Sequence, residues 1–273
     1  MNTPRTIAFA GDWHGRTGWA VTMIGLLPDD VQDIIHVGDF GLMGEGLTEY
    51  VTKVSRAATR TNRRILVVPG NHENYTWLNK QPRSNDGAIP LTDTITVAPR
   101  GYRWTINSTS FAAAGGAVSV DKRRRVGGKS WWPQETITDD EETNICAGGH
   151  ADILVTHDAP MGSGVPSMPR DALVAWAGAD IAAEAEDHQR RVRRITNALT
   201  PRMLVHGHFH TRYTHPVTWV DTNGQPYDST IHGLSCDGEA GNIILTTITD
   251  TIGTVTDFNY RIKGTRPPLP AAA

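Results

Sequence analysis

Five short apolar runs constrain what this chain can fold into more than any other feature. In chain order they read "TIAFA", "DIIHV", "RILVV", "DILVT" and "RMLVH". Runs of this length, rich in Ile, Val and Leu, are typical of β-strands, and their continuous apolar character predicts strands covered on both faces. Helical patterns lie between several of them, for example "GLTEYVTKVSRAATRT" between the second and the third. Strands that alternate with helices predict an α/β fold built in layers.

Two further regions, at about 94–120 and 216–260, contain short apolar segments separated by turns. They predict antiparallel strands that form a second sheet or extend the first. Residues 121–143 are a long polar segment with Gly, Pro and two adjacent Trp residues, and loops of this length inside compact domains are usually functional or disordered. We predict one domain over 1–264, with 121–143 as a loop on the substrate side and 265–273 as a flexible tail.

The composition argues against several classes of protein. The chain has 273 residues, ordinary globular composition and a net charge of −3, so nothing in it calls for a DNA partner or an anionic membrane. No apolar segment is long enough to span a bilayer, and the N-terminal run is too short for a secretion signal. The two cysteines cannot form a disulfide framework, which favours a reducing compartment, and we expect a cytoplasmic protein.

Each apolar run leads directly into residues that can bind metal ions. The five groups, in chain order, are Asp12 with His14, Asp39, Asn71 with His72, His157, and His208 with His210. Functional groups of layered α/β folds gather at the carboxyl ends of the strands. We therefore predict that the five groups converge on one site.

The chemistry of this set indicates two divalent ions. It offers oxygen and nitrogen ligands without a thiolate, which suits Mn, Fe, Co, Ni or Zn rather than a Cys-rich structural zinc site. Asp12 and His14, like His208 and His210, are two residues apart, so in extended backbone each pair faces one side and can bind one ion. Two metals roughly 3.5–4 Å apart can clamp a phosphate ester, and Asp39 is the natural bridging carboxylate.

Each group also has a simpler explanation when taken alone. A Gly-Asp pair after a strand is commonly a turn, and a buried histidine is commonly a satisfied core residue. Asn71 can cap a helix, and Glu73 can either orient a neighbour or cap the helix that follows, of which we favour the cap. Five such groups in this order, each at a strand end, favour the shared metal site.

The ordered pattern D-x-H, GD, GNH[DE], H and GHxH resembles the signature of the calcineurin-like metallophosphoesterases over residues 12–210. The resemblance implies a four-layer α-β-β-α sandwich, with two mixed sheets flanked by helices. It also implies two divalent ions, with Mn favoured and Fe, Ni, Co or Zn as alternatives. One ion would be held by Asp12, His14, Asp39 and His210, and the other by Asp39, Asn71, His157 and His208.

By the same resemblance, Asp39 and His72 are the catalytic residues. His72 would bind no metal and would lie beside the substrate phosphate, where it protonates the leaving oxygen or stabilises charge. A hydroxide that bridges the two ions would attack phosphorus in line. These residues do not decide between diesters and monoesters.

The stretch "GDFGLMGEG" narrows the branch of the family. It lacks the Arg that follows this motif in Ser/Thr protein phosphatases and the second Asp of class III cyclic nucleotide phosphodiesterases. The chain is more similar to compact metallophosphoesterases of bacteria and their phages, whose substrates are not implied by the motifs.

The polar segment 121–143 supplies candidates for substrate binding. Arginines can pair with phosphate, and tryptophans can stack on a base. The alternative is that the Trp pair packs beneath the loop and the Arg run is solvated. The expected substrate-binding residues are Asn71, His72, Arg124, Arg125, Trp131 and Trp132.

The favoured function is hydrolysis of small phosphodiesters, such as nucleotides or cyclic nucleotides. Alternatives are a phosphomonoesterase, which includes protein and nucleotide phosphatases, a nuclease, and a metal-binding module without catalysis. A nuclease is disfavoured because the chain shows neither a broad basic stripe nor room for a DNA-capping domain. A nucleotide-binding Rossmann protein is disfavoured because no G-x-G-x-x-G follows the first strand.

Overall fold

The computed structural model describes residues 3–166 and 169–260. The helices are α1 (Thr17–Leu26), α2 (Glu49–Arg60), α3 (Tyr75–Leu78), α4 (Asp139–Ala147), α5 (Arg170–Ala177) and α6 (Ala179–Leu199). The strands are β1 (Arg5–Ala10), β2 (Val31–His36), β3 (Arg64–Val67), β4 (Ile89–Pro90), β5 (Ile95–Val97), β6 (Arg103–Ile106), β7 (Thr109–Ala114), β8 (Ile153–Thr156), β9 (Met203–His206), β10 (Tyr213–Val220), β11 (Pro226–Gly233), β12 (Ile243–Ile248) and β13 (Thr256–Asp257).

The strands form two mixed sheets. The first has seven strands in the order β13-β12-β1-β2-β3-β5-β4, and the second has six in the order β10-β11-β9-β8-β7-β6. β1, β2, β3 and β5 run parallel in the first sheet, as do β7, β8, β9 and β11 in the second. The five apolar runs of the sequence are β1, β2 and β3 in one sheet and β8 and β9 in the other, which confirms the strand prediction.

The two sheets pack face to face, and helices cover their outer faces. Along β1, Ile7 and Phe9 belong to the core between the sheets, whereas Ala8 and Ala10 pack with α1 and α2. This alternation follows from the two-residue period of a strand. On the far side, the outer face of β8 and β9 packs against α4 and α6. The arrangement is the expected four-layer α-β-β-α sandwich.

The prediction that 94–120 and 216–260 form a second sheet or extend the first is confirmed, but the expected antiparallel pairing is incomplete, because β5, β7 and β11 each also pair in parallel with a neighbour. β6, β7, β10 and β11 do lie in the second sheet, but β5 pairs with β3 and β12 pairs with β1 in the first. An apolar pattern shows that a strand is buried and carries no information about which neighbour it pairs with. β12 is buried along most of its length, so it fits a position between two other strands, β13 and β1.

Segment 121–143 is not a loop throughout. It contains two short 3₁₀ turns, at Lys122–Arg124 and Pro133–Glu135, and α4 begins inside it. Thr138 caps α4, because its hydroxyl accepts from the backbone N–H of Glu141 while the Glu141 carboxylate accepts from the N–H of Thr138. This capping box is visible in the sequence as T-x-x-E.

The single domain over 1–264 remains a prediction, and the proposed tail at 265–273 lies outside the described residues. Among the residues that the structure describes, no helix combines the length and the apolar character that crossing a bilayer requires.

The fold brings the ends of parallel strands from two sheets to one side of the sandwich. The candidate functional residues of the sequence follow these strand ends.

The core between the sheets can be tested at Phe111 in β7. Its ring is fully buried and stacks on Trp104 at a centroid distance of 5.0 Å. We expect Phe111→Ala to lower the free energy of unfolding by about 3–5 kcal/mol, because it removes packing between two sheets that cannot close the gap. Urea unfolding measures this. Leu47→Ala, at a side chain that is 55% exposed, is the control and should change it by less than about 0.5 kcal/mol.

Candidate metal centre

The structure brings the predicted ligands together at the carboxyl ends of β1, β2, β3, β8 and β9. Donor atoms of five of these ligands, together with those of His72, fall into three overlapping groups in which all atoms lie within 4.8 Å of one another, and His208 belongs to none of the three. Asp12, His14 and Asp39 each belong to two of the groups. The groups are Asp12 with His14 and His210, Asp39 with His14 and His72, and Asp12 with Asp39 and His157.

Several of these residues have strained backbones. Among the described residues, seven non-glycine positions have positive φ, and four of them are site residues: His14, Asp39, His208 and His210. Left-handed backbone is costly for a residue with a side chain and persists only where the surroundings enforce it. Here it turns the chain sharply after β1, β2 and β9, so that the side chains point into the shared site.

Two glycines of the motifs are required by close approach. A Cβ at Gly207 would overlap Asp12 Oδ1, and a Cβ at Gly70 would overlap Asp39 Oδ1. No side chain fits at either position, so the glycines of G-N-H and G-H-x-H let the backbone of one strand end pass directly beside a carboxylate from another.

Asp39 occupies the middle of the site. Its Oδ1 lies 3.4 Å from His157 Nε2, and its Oδ2 lies 3.6 Å from His14 Nε2 and 3.7 Å from His72 Nε2. The side chain is only 2% exposed. The backbone N–H of His72 donates to Oδ1 at 2.9 Å and fixes the carboxylate orientation. Histidines of the two expected ligand sets therefore face the two oxygens of one buried carboxylate.

Asp12 organises the first side of the site. Its Oδ2 lies 3.0 Å from His210 Nε2, and it accepts from the backbone N–H of His208 at 3.1 Å. The His14 and His210 rings meet edge to face, with a centroid distance of 5.0 Å. One carboxylate and two imidazoles thus converge, with Asp39 next to them.

His157 and Asn71 form the second side. His157 Nε2 lies 3.0 Å from Asn71 Oδ1, and His157 Nδ1 lies 2.8 Å from the carbonyl oxygen of Val37. Because a carbonyl only accepts, Nδ1 carries the proton there, and Nε2 faces the site. The ring of His208 lies 5.2 Å from that of His157.

The aspartates and histidines of the site strongly shift one another's pKa values. Burial by itself would raise the pKa of Asp39, but His157, His72 and His14 outweigh it and hold that pKa well below its usual value. Burial would lower the pKa of His14 and His157, but the aspartates raise them to about 9 and about 10. The buried carboxylates favour positive charge around them, and oxygen and nitrogen donors lie next to them. This combination suits the binding of divalent cations.

His208 and His72 differ from the other histidines. Burial lowers the pKa of His208 to about 4, so its ring is neutral and has a lone pair to offer. Burial also lowers the pKa of His72. The charge of Asp39 raises this pKa, whereas the nearby guanidinium of Arg125 lowers it.

Of the expected substrate-binding arginines, only Arg125 contacts a site residue. Its guanidinium contacts the His72 ring, with Nη1 3.0 Å from Nδ1, and its Nε pairs with Asp121 at 2.7 Å. Arg124 instead lies over the ring of Trp176, 4.9 Å from its centroid. The structure does not place Arg124 beside the other site residues.

The two tryptophans also differ. Trp132 is only 2% exposed, so no face of its ring is open to a base, and the stacking prediction fails for this residue. Its burial agrees with the alternative that it packs beneath the loop. Trp131 is half-buried, and Lys122 Nζ lies 5.9 Å from its ring centroid.

Glu73 has a role that the favoured sequence interpretation missed. Its buried carboxylate accepts from the backbone N–H groups of Asp39, Gly41 and Gly70, at 3.1, 3.1 and 2.5 Å. The helix cap is Asn74, whose side chain accepts from the N–H of Trp77. Glu73 therefore ties together the turns after β2 and β3, and the expectation that it caps α3 was wrong.

Three further residues at the site were not found from the sequence. Asp237 contacts His14, and Ser119, which is bonded to Glu135, contacts Asn71. Ser119 and Asp237 follow β7 and β11, the strands that flank β8 and β9. The same rule of strand ends would have found them, had "FAAA" and "TIHG" been recognised as parallel strands.

Comparison with known proteins identifies the family to which the chain belongs. The family model for calcineurin-like phosphoesterases matches residues 5–212. The chain belongs to the calcineurin-like phosphoesterase family, whose members are hydrolases of phosphoesters. The resemblance seen in the motifs is confirmed, and a comparison with curated proteins finds no match.

Solved structures include similar folds at low sequence identity. TT1561 of Thermus thermophilus superposes with a TM-score of 0.52 at 11% identity, covering 93% of this chain and 99% of the other. A phosphopantetheinyl hydrolase from Mycobacterium tuberculosis gives a TM-score of 0.46 at 15% identity, covering 89% and 96%. The first of these supports the fold assignment.

Glu73 provides a test of how the site is held together. We expect Glu73→Gln to lower the free energy of unfolding by roughly 1–3 kcal/mol, because an amide NH₂ would face backbone N–H donors that now bond to a carboxylate. Metal binding should weaken as well, since the turns that carry Asp39 and Asn71 lose their common anchor. Urea unfolding and Mn²⁺ titration measure the two effects.

The control for this change is Glu49→Gln, at an exposed position in the first turn of α2. It removes a carboxylate that pairs with Lys53 at the surface and should leave both measurements nearly unchanged. Equal effects of the two substitutions would contradict the role assigned to Glu73.

Proposed function

We propose that the protein is a dinuclear metal-dependent phosphoesterase that hydrolyses small phosphodiesters, such as nucleotides or cyclic nucleotides. The observation that supports this most directly is the position of Asp39, whose two oxygens face histidines from both sides of the site. A buried carboxylate with ligands on both sides suits a residue shared by two cations. The oxygen and nitrogen donors suit borderline divalent ions, and we propose Mn²⁺.

The residues on each side of Asp39 would bind one of the two ions. When bound, the two ions would supply Lewis-acid charge to the phosphoryl oxygens and lower the pKa of a coordinated water. Asp39 would be common to both. The proposed ligands are Asp12, His14, Asp39 and His210 for one ion, and Asp39, Asn71, His157 and His208 for the other.

His72 and Arg125 are the residues proposed to act on the phosphate. His72 lies beside Asp39 and follows the proposed ligand Asn71 in the same turn. Its side chain is 26% exposed. It is placed to stabilise charge on a phosphoryl oxygen or to donate a proton to the leaving oxygen. Arg125 is held against it by Asp121 and can donate to a phosphoryl oxygen through its guanidinium.

The charge near His72 supports a diester over a monoester. A phosphomonoester carries up to two negative charges near neutral pH, whereas a diester carries one. Arg125 is already paired with Asp121, while Arg123 pairs with Asp180 and Arg124 stacks on Trp176. A single guanidinium that is partly neutralised suits a monoanion better than a dianion.

We also propose a cytoplasmic location. Cys146 and Cys236 are both free thiols in the structure. Cysteines of secreted proteins are commonly paired in disulfides, whereas reducing compartments keep them free. The free thiols support a reducing environment.

The proposed activity is tested with a chromogenic phosphodiester beside the matching monoester, on metal-stripped protein with and without Mn²⁺. We expect Mn²⁺-dependent hydrolysis with preference for the diester. Asp39→Ala should abolish it, because the shared ligand is lost. His72→Ala should lower kcat by about 10²–10⁴-fold, the range for loss of a positioned acid.

His150→Ala is the control for these variants, because that histidine is exposed on the surface and belongs to neither ligand set. Preference for the monoester would move the assignment to the phosphomonoesterase alternative. Hydrolysis that is unaffected by metal removal or by Asp39→Ala would contradict the proposal.

Arg125 and Arg124 form a matched pair for testing phosphate binding. We expect Arg125→Ala to lower kcat/KM for the diester by about 10–100-fold, as loss of a charge-assisted hydrogen bond of roughly 1.5–3 kcal/mol predicts. Arg124→Ala removes the same charge one residue away, from the surface of Trp176, and should have little effect. Equal losses in the two variants would show that only overall charge matters.

A further inference from the structure

Two carboxylates outside the motifs support the proposed metal ligands from opposite sides, Asp237 directly and Glu135 through Ser119. In the second sheet, β8 and β9 carry proposed ligands and are flanked by β7 and β11. Ser119 follows β7 and is bonded to Glu135, and Asp237 follows β11. Neither carboxylate belongs to the three groups of donor atoms that converge in the site. Each is therefore placed to act on a ligand rather than on an ion.

Asp237 holds His14. Its Oδ1 lies 2.9 Å from His14 Nδ1, its Oδ2 pairs with Arg16 Nε at 2.8 Å, and its side chain is 6% exposed. Its backbone N–H donates to the carbonyl oxygen of Asp12 at 2.7 Å, which fastens it to the turn that carries His14. Because a carboxylate only accepts, Nδ1 carries the proton, and Nε2, which faces Asp39, is the atom left for a metal.

Glu135 and Ser119 hold Asn71. The Asn71 Nδ2 group donates to Ser119 Oγ at 2.9 Å, and Ser119 Oγ donates to Glu135 Oε2 at 2.6 Å. The other oxygen of Glu135 accepts from the backbone N–H of Ser119 at 2.8 Å. This series of hydrogen bonds allows one direction for each bond. The amide nitrogen of Asn71 therefore faces Ser119, and its Oδ1 faces His157 Nε2.

The two supports are independent of each other. Asp237 contacts the turn after β1, whereas Glu135 contacts the segment after β7, and their hydrogen bonds within the described chain share no partner. They also lie on opposite sides of Asp39, since His14 faces its Oδ2 and Asn71 bonds to His157, which faces its Oδ1.

We infer that Asp237 and the Ser119–Glu135 pair are positioning residues, each of which sets the affinity of one metal position without affecting the other. The inference rests on the dinuclear centre of the proposed function and adds that its two positions are adjusted separately. Carboxylates that bond to metal-ligating side chains commonly contribute about 10–100-fold to metal affinity. Segments outside the motifs would thus decide whether the positions fill together or one after the other.

Isosteric substitutions remove each support while keeping its volume. In Asp237→Asn the amide NH₂ can donate to His14 Nδ1, which moves the ring proton to Nε2 and blocks the metal-facing atom. In Glu135→Gln the amide NH₂ can donate to Ser119 Oγ, whose hydroxyl then donates to Asn71 Oδ1 and turns that oxygen away from His157. Asp237→Glu and Glu135→Asp, which keep the charge, should restore part of the affinity.

The test is a double-mutant cycle read by Mn²⁺ titration calorimetry on metal-stripped protein. His14→Ala and Asn71→Ala each remove a ligand of one position and serve as backgrounds. We expect Asp237→Asn to weaken the remaining binding by about 10–100-fold in the Asn71→Ala background and to change little in the His14→Ala background. Glu135→Gln should show the opposite pattern.

The outcomes separate this inference from the proposed function. Wild-type protein that binds no Mn²⁺ would overturn both. Wild-type binding of two ions, with Asp237→Asn and Glu135→Gln each weakening both backgrounds equally or neither, would overturn the inference alone. Thermal unfolding with chelator serves as the control, since a purely structural role would lower Tm without separating the two positions.

Discussion

The buried carboxylate of Asp39 is the constraint on which the rest of the site depends. A charge so deeply buried is costly unless it is paired and hydrogen-bonded. Here the pairing comes from histidines on both sides and from the N–H of His72. A second buried carboxylate, Glu73, lies close behind, and burial together with the charge of Asp39 raises its pKa to about 7. Part of this rise comes from the negative charge of Asp39, which a bound cation would offset.

The site exists only when the two sheets are packed. Asp12, Asp39 and Asn71 follow strands of the first sheet, whereas His157 and His210 follow strands of the second. Their relative positions are therefore set by the core between the sheets, where Phe9 and Phe111 are among the fully buried side chains. Ions shared by the two sets would in turn join the sheets, so metal binding and folding are thermodynamically linked. The strained turns at the strand ends depend on this rigid support.

The sequence was sufficient for the strands of the core and for the convergence of candidate metal-binding residues at the strand ends, because both follow from local patterns: apolar runs, and polar groups directly after them. It was insufficient where partners lie far apart in the chain. The pairing of β12 with β1 and the bonds from Glu73 to two other turns depend on tertiary contacts that leave no local trace. Trp132 shows the same limit, since an aromatic residue in a polar segment can pack inward or face a ligand, and only the fold decides which.

The motifs supply the donor atoms of the site, and the residues around them orient those donors. Five motif groups place donors around Asp39, but the proton on His14 and the orientation of Asn71 are set by Asp237 and Glu135, which no motif contains. Asp237 even lies beyond residues 5–212, over which the family is matched. Two chains with the same motifs can therefore differ in metal occupancy and in the charge presented to a substrate. If the proposed function is right, the ligands alone do not set the preference for an ester, and Arg125 beside His72 is the residue that would contribute to it.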